Sequence, residues 1–207
     1  MLEAMMQLGL GFVIGFTGAA MPGPLTAFVV TNGLSGSNRF HGFVSALGHC
    51  AVEAGIIAGI VLGLMAVFDV APFRFLNMAG GVSLIVFGAI ALVRGKGGVS
   101  RRPVIVGRSA FLGGVTLSIF NGTIPVWWGT VGLQQLGFAL RSAALSGALL
   151  WVVGHWMADL AWYGFLGYSS YRGRRYLGDR AARWVIVGCS VTLVVVGVVF
   201  VGLALFG

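Results

Sequence analysis

Four stretches of this chain run for 19 residues or more without a charged side chain: Ala4–Asn38, Phe75–Val93, Ser109–Leu140 and Trp184–Gly207. A helix rises ~1.5 Å per residue, so each stretch is about long enough to cross ~30 Å of hydrocarbon. Two further spans, roughly His41–Val67 and Ser142–Gly167, are nearly as apolar but contain ionisable residues. The expected fold is therefore an all-α integral membrane protein of six transmembrane helices, with no room for a soluble domain. Composition agrees, since 58% of the 207 residues are hydrophobic and 9% are charged, against about a quarter charged in soluble domains.

The two less apolar spans carry the same pattern. Gly48-His49-x-x-x-Glu53 lies in one and Gly154-His155-x-x-x-Asp159 in the other. Residues four apart share a helical face. Ionisable groups at membrane depth are costly and seldom persist without a partner or a task. Two spans are also interrupted near mid-depth, the first at Met21-Pro22-Gly23-Pro24 and the fourth at Asn121-Gly122-Thr123-Ile124-Pro125. Proline removes an amide donor and clashes with the preceding turn. Breaks in spans 1 and 4, and paired ionisable groups in spans 2 and 5, predict a duplication. Residues 1–93 form one three-helix repeat, 94–108 a basic cytoplasmic linker and 109–207 the second repeat. An odd number of spans inverts the second copy, the plan of many secondary transporters, whose site lies between broken helices at the midplane.

The net charge of +8 invites a nucleic-acid reading, but its placement argues against one. With six spans, eleven of the thirteen basic residues fall on one face, leaving Arg74 and Arg141 on the other. That asymmetry marks the basic face as cytoplasmic and places both termini outside. The first span lacks a basic leader, so no signal peptide is expected. Cys50 and Cys189 stand alone within spans and are read as buried, inert thiols. The basic loops are expected to meet membrane lipid.

A helix break frees backbone amides whose dipole attracts anions. Pro22, Gly23 and Pro24 are thus expected to shape a site for a substrate carboxylate, with Asn121 and Thr123 in the mirrored role. Glu53 and Asp159 suit alternate binding of a proton and a substrate cation, and His49 and His155 suit tuning or relaying that proton. The alternative is a divalent metal-ion transporter in which the two histidines and two acids form an N₂O₂ ligand set. An enzyme is not expected, because no separate nucleophile or base accompanies the four groups. No cofactor is expected either, and no Gly-rich phosphate-binding motif with its lysine is present. His41 is placed at the solvated membrane edge. Trp127, Trp128, Trp162, Tyr163, Tyr168, Tyr171 and Trp184 are assigned to interfacial aromatic belts, with a pocket wall as the alternative for the first two. Gly55, Gly59 and Gly63 are read as a packing ridge within the bundle, with homodimer contact as the alternative.

Gly18-x-x-x-Pro22-Gly23-Pro24 in a six-span chain of this length resembles the LysE/RhtB translocators. So do Leu117-Ser118-Ile119-Phe120-Asn121, the following Pro125-x-Trp127-Trp128-Gly129-Thr130-Val131-Gly132, and Gly154-His155-x-x-x-Asp159-Leu160-x-Trp162-Tyr163. The resemblance covers nearly the whole chain and implies an inner-membrane exporter of amino acids. Members commonly carry Asn-Pro at the second break, whereas Asn121 is followed here by Gly122. Either Pro125 takes over the interruption or the break is softer. The His/carboxylate pairs are not general to the family, so it assigns them no role.

Overall fold

The computed structural model describes residues 2–21, 23–36, 38–61, 78, 81–82, 84–86, 88–90, 92–93, 109–176 and 179–206, with backbone alone at 179, 182, 185, 186, 189 and 196. Pro22, Gly63, Arg74, the linker 94–108 and the side chain of Cys189 lie outside the described residues. Every described regular element is helical. The elements are α1 (Leu2–Ala19), α2 (Pro24–Ser35), α3 (His41–Val61), α4 (Ala110–Ile119), α5 (Thr123–Trp127), a π-turn (Trp128–Gly132), α6 (Leu133–Gly173) and α7 (Asp179–Phe206). Among the described residues three helical stretches are long and apolar enough to cross a membrane: Leu2–Ala19, His41–Val61 and Thr123–Gly173. Large apolar side chains stand exposed along their outer faces, among them Met5, Val13, Leu149 and Phe165. Such a surface suits lipid rather than water.

Both expected interruptions are present. α1 stops at Ala19 and α2 starts at Pro24, where the missing amide of proline costs nothing because a first-turn N–H has no intrahelical partner. The second break occupies Phe120–Gly122. Pro125 sits within the first turn of α5 and does not make the interruption. Gly122 does not abolish it, because the Asn121 side chain closes the turn: its Oδ1 accepts from the Thr123 amide at 3.2 Å and the Thr123 hydroxyl at 2.9 Å. α2 ends at Gly36, whose φ of 88° is left-handed and returns its N–H to Asn32 and Gly33. The stretch α6 is two helical segments that meet at a kink just after Arg141, where the backbone at Ala143 (φ −143°, ψ 29°) and Ala144 (φ 50°, ψ −148°) is not helical.

Helices approach closely where glycine removes the side chain. An added Cβ on Gly154 would collide with the Leu8 carbonyl and lie 2.9 Å from the Phe12 amide, and one on Gly11 would collide with the Trp151 carbonyl. An added Cβ on Gly48 would collide with the Phe111 carbonyl and lie 2.9 Å from the Val115 amide, and one on Gly114 would collide with the Ser45 carbonyl. The second crossing, α3 on α4, repeats the first, α6 on α1, position for position. Leu8, Gly11 and Phe12 map to Phe111, Gly114 and Val115 by adding 103, and Ser45 and Gly48 map to Trp151 and Gly154 by adding 106. By contrast, nothing lies within 4 Å of an added Cβ on Gly55 or Gly59. Among the described residues the α3 face that meets its neighbours closely is therefore the one carrying Ser45, Gly48 and His49.

Two apolar clusters flank the middle of the bundle. Ile124, Trp127, Trp128, Leu136, Ala139, Ala148, Trp151 and Val152 form one. Leu25, Phe28, Val29, Ala46, Leu117 and Tyr163 form the other. His41 is buried rather than solvated, 5% exposed. Its Nε2 lies 2.7 Å from the Val29 carbonyl of α2 and its Nδ1 2.8 Å from the Asn38 carbonyl, which ties the start of α3 to α2.

Candidate functional site

Between the two clusters the repeated pairs meet. α3 presents His49 and Glu53 one turn apart, and α6 presents His155 and Asp159 in the same way. All four are buried, none more than 6% exposed. They form a ring in which histidine and carboxylate alternate. His155 Nε2 lies 3.1 Å from Glu53 Oε2 and 3.5 Å from Asp159 Oδ2. His49 Nε2 lies 3.5 Å from Glu53 Oε1 and 3.8 Å from Asp159 Oδ1. The His155–Glu53 contacts are within hydrogen-bond reach; the two made by His49 are longer. Helical spacing places each pair on one face, and the glycine crossings at Gly48 and Gly154, each just before its histidine, bring those faces to mid-bundle.

Neighbouring side chains hold the ring in place. The Trp128 indole N–H donates to Glu53 Oε1 at 2.9 Å, and Ser118 Oγ lies 2.9 Å from His49 Nδ1. His155 is sandwiched between the rings of Trp127 (centroids 4.8 Å apart, 23°) and Trp151 (5.5 Å, 5°), with Trp128 edge-on at 5.3 Å. Tyr163 stands edge-on to His49 at 5.9 Å. The two histidines differ at Nδ1. Ser118 meets that of His49, whereas the equivalent position by the offset of 103 is Gly15, whose backbone lies against His155. Among the described residues neither His155 Nδ1 nor Asp159 Oδ2 has a hydrogen-bond partner.

Trp127, Trp128 and Tyr163 are thus pocket walls and not belt residues: they are 9%, 1% and 5% exposed. Tyr168 and Trp184 are exposed, as a belt residue must be. The pocket placement of the tryptophans was accessible to arithmetic. Trp128 lies six residues past the second break, about 9 Å along a helix, well short of the ~15 Å from the bilayer centre to its edge. Ser118 gave no such signal, because its role depends on a contact between helices far apart in sequence.

A cavity of about 30 Å³ opens beside the ring. Its walls include all four ring residues, Gly18, Ala19 and Met21 from the first break, and Asn121, Thr123 and Ile124 from the second. Gly23 and Pro24 are buried but are not part of its walls, and an added Cβ on Gly23 would reach 3.2 Å from Asn121 Nδ2. The structure therefore brings together His49, Glu53, His155, Asp159, Asn121 and Thr123, places Gly23 against Asn121, and leaves Pro22 undescribed. Among the described residues no Lys or Arg lines the cavity. Its charge-bearing groups are acids and imidazoles, which suit a cation, while an anionic group would have to find neutral donors. His49, Glu53 and Asp159 each bring one donor atom within 4.8 Å of the others, close enough to hold a metal ion.

Comparison with curated proteins and with solved structures gives no match. The family model described as LysE type translocator matches residues 16–203, a stretch containing both breaks and the whole ring. The chain is a membrane protein and belongs to the LysE type translocator family.

Proposed function

We propose that this chain is a secondary active transporter that exports amino acids or similar small metabolites across the inner membrane, coupled to proton entry. The observation that carries the reading is the joining of the two repeated pairs into one buried ring beside a cavity walled by both helix breaks. The duplicated glycine crossings support an arrangement of six spans in two inverted three-helix halves, with helices 1 and 4 broken at mid-membrane. The sequence asymmetry of basic residues puts both termini outside.

In this scheme the substrate carboxylate takes the amides of the segment Pro22, Gly23 and Pro24, aided by Asn121 and Thr123. The substrate ammonium exchanges with a proton among Glu53, Asp159, His49 and His155. A cavity of about 30 Å³ holds about two waters and no amino acid, so the described conformation corresponds to a closed state. Transport then requires the halves to part, opening the site to each side in turn. One proton moving inward yields about 2.3 kcal/mol per 100 mV, enough for a roughly forty-fold substrate gradient.

Counterflow into proteoliposomes with a panel of labelled amino acids tests the scheme. Uptake of one class is expected, falling at least tenfold in Glu53→Gln and in Asp159→Asn. Unaltered uptake in both variants would remove the ring from the mechanism.

A further inference from the structure

We infer that the ring is also a binding site for one divalent d-block cation, held by His49, Glu53 and Asp159, and that this cation competes with the substrate for the pocket. The competition rests on the transport reading above; the binding does not.

Donor type and spacing carry the argument. Imidazole nitrogen with carboxylate oxygen suits Zn²⁺, Co²⁺ or Ni²⁺ better than Mg²⁺ or Ca²⁺, which prefer oxygen throughout. Metal–ligand bonds of about 2.0–2.2 Å in a tetrahedron set neighbouring donors ~3.4 Å apart. His49 Nε2 already lies 3.5 Å from Glu53 Oε1 and 3.8 Å from Asp159 Oδ1, so these two edges need shifts of a few tenths of an ångström, while all three donors stand within 4.8 Å of one another and the carboxylates draw together by up to about 1.4 Å to complete the site. Those separations are too long for hydrogen bonds and suit an ion seated between the groups.

The surroundings are those that fix metal ligands. A metal-bound histidine almost always anchors its other nitrogen, and bound carboxylates are themselves hydrogen-bonded. Ser118 Oγ meets His49 Nδ1 at 2.9 Å. With Nδ1–H donating to that hydroxyl, Nε2 turns its lone pair toward the two acids. Trp128 holds Glu53 Oε1 at 2.9 Å, and His155 holds Glu53 Oε2 from the other side at 3.1 Å. Asp159, 1% exposed, keeps Oδ2 without a hydrogen-bond partner within this ring. The cavity beside these donors accommodates an ion and a water. Two acids in a low-dielectric interior, with no lysine or arginine among the described residues of the pocket, favour a cation there.

The test uses the full-length chain in detergent, tag removed and stripped by chelator, titrated with Co²⁺ alone. Calorimetry follows affinity and visible absorption follows coordination. One Co²⁺ per chain at micromolar affinity is expected, with the intense visible bands of four-coordinate cobalt. His49→Ala and Asp159→Asn should each weaken binding at least a hundredfold. Ser118→Ala, which keeps every ligand, should weaken it about ten- to a hundredfold with helix content unchanged, so the test does not depend on the ligand variants folding. In counterflow, Co²⁺ should raise the substrate concentration for half-maximal uptake and leave the maximum unchanged. Absence of saturable binding, affinity unchanged in both ligand variants, or the pale spectrum of aqueous cobalt would each overturn the site. Binding without any amino-acid uptake would sink the transport reading and leave the site standing. Uptake without Co²⁺ binding would do the reverse.

Discussion

Adding one methyl group at Gly154 should damage both the bundle and the ring. The new Cβ would collide with the Leu8 carbonyl and stand 2.9 Å from the Phe12 amide, backbone atoms that cannot rotate away. Ordinary contact requires α1 and α6 to part by roughly 1 Å, which forfeits a quarter to a half of the dispersion energy at the seam. Such overpacking costs about 1–3 kcal/mol. The next residue is His155, whose Nε2 lies 3.1 Å from Glu53 Oε2 on α3; with α6 taking up the displacement, that bond passes hydrogen-bond reach and loses about 1.5–3 kcal/mol more. Alanine's better helix propensity returns about 1 kcal/mol. The net loss is about 1.5–5 kcal/mol. Gly48→Ala, the equivalent change in the α3–α4 crossing, should lose a similar amount. Gly55→Ala, with nothing among the described residues within 4 Å, should be neutral or gain up to about 1 kcal/mol. Thermal unfolding of detergent-solubilised protein, followed by gel filtration, ranks the three. Should Gly154→Ala melt together with Gly55→Ala, the close crossing does not exist as described.

Trp128→Phe keeps most of the ring volume but removes the donor to Glu53 Oε1. It should cost about 1.5–3 kcal/mol of stability and reduce counterflow more than Trp127→Phe, since Trp127 makes stacking contact with His155 instead of a hydrogen bond to the acid; equal activity in the two would show that the indole N–H is idle. An epitope at Met1 should be reachable from outside intact cells, and labelling only after permeabilisation would reverse the assigned orientation.

Much of the site was legible because its rules are local. Four-residue spacing puts His49 with Glu53 and His155 with Asp159 whatever the tertiary fold, and proline or Asx-turn chemistry breaks a helix wherever it occurs. The repeated Gly-His dipeptide even carried the packing signal, whereas Gly55 and Gly59, picked out by small-residue spacing, meet no described residue within 4 Å. Contacts between distant segments were not legible. Nothing near Trp128 in sequence points to Glu53, and nothing near His41 points to the Val29 carbonyl. Burial of an indole or an imidazole depends on which helix arrives opposite it, and local propensity is silent on that.

The mismatch at Nδ1 has a consequence for how such a chain can be assembled. Pairing the amino-terminal portion with a second copy of itself would supply Gly15 twice and the Ser118 hydroxyl not at all, so both imidazoles would lose their anchor. Pairing the carboxy-terminal portion with itself would press a serine side chain into the place where backbone now touches His155. At this position the two portions are complementary and not interchangeable, one bringing the hydroxyl and the other the close backbone.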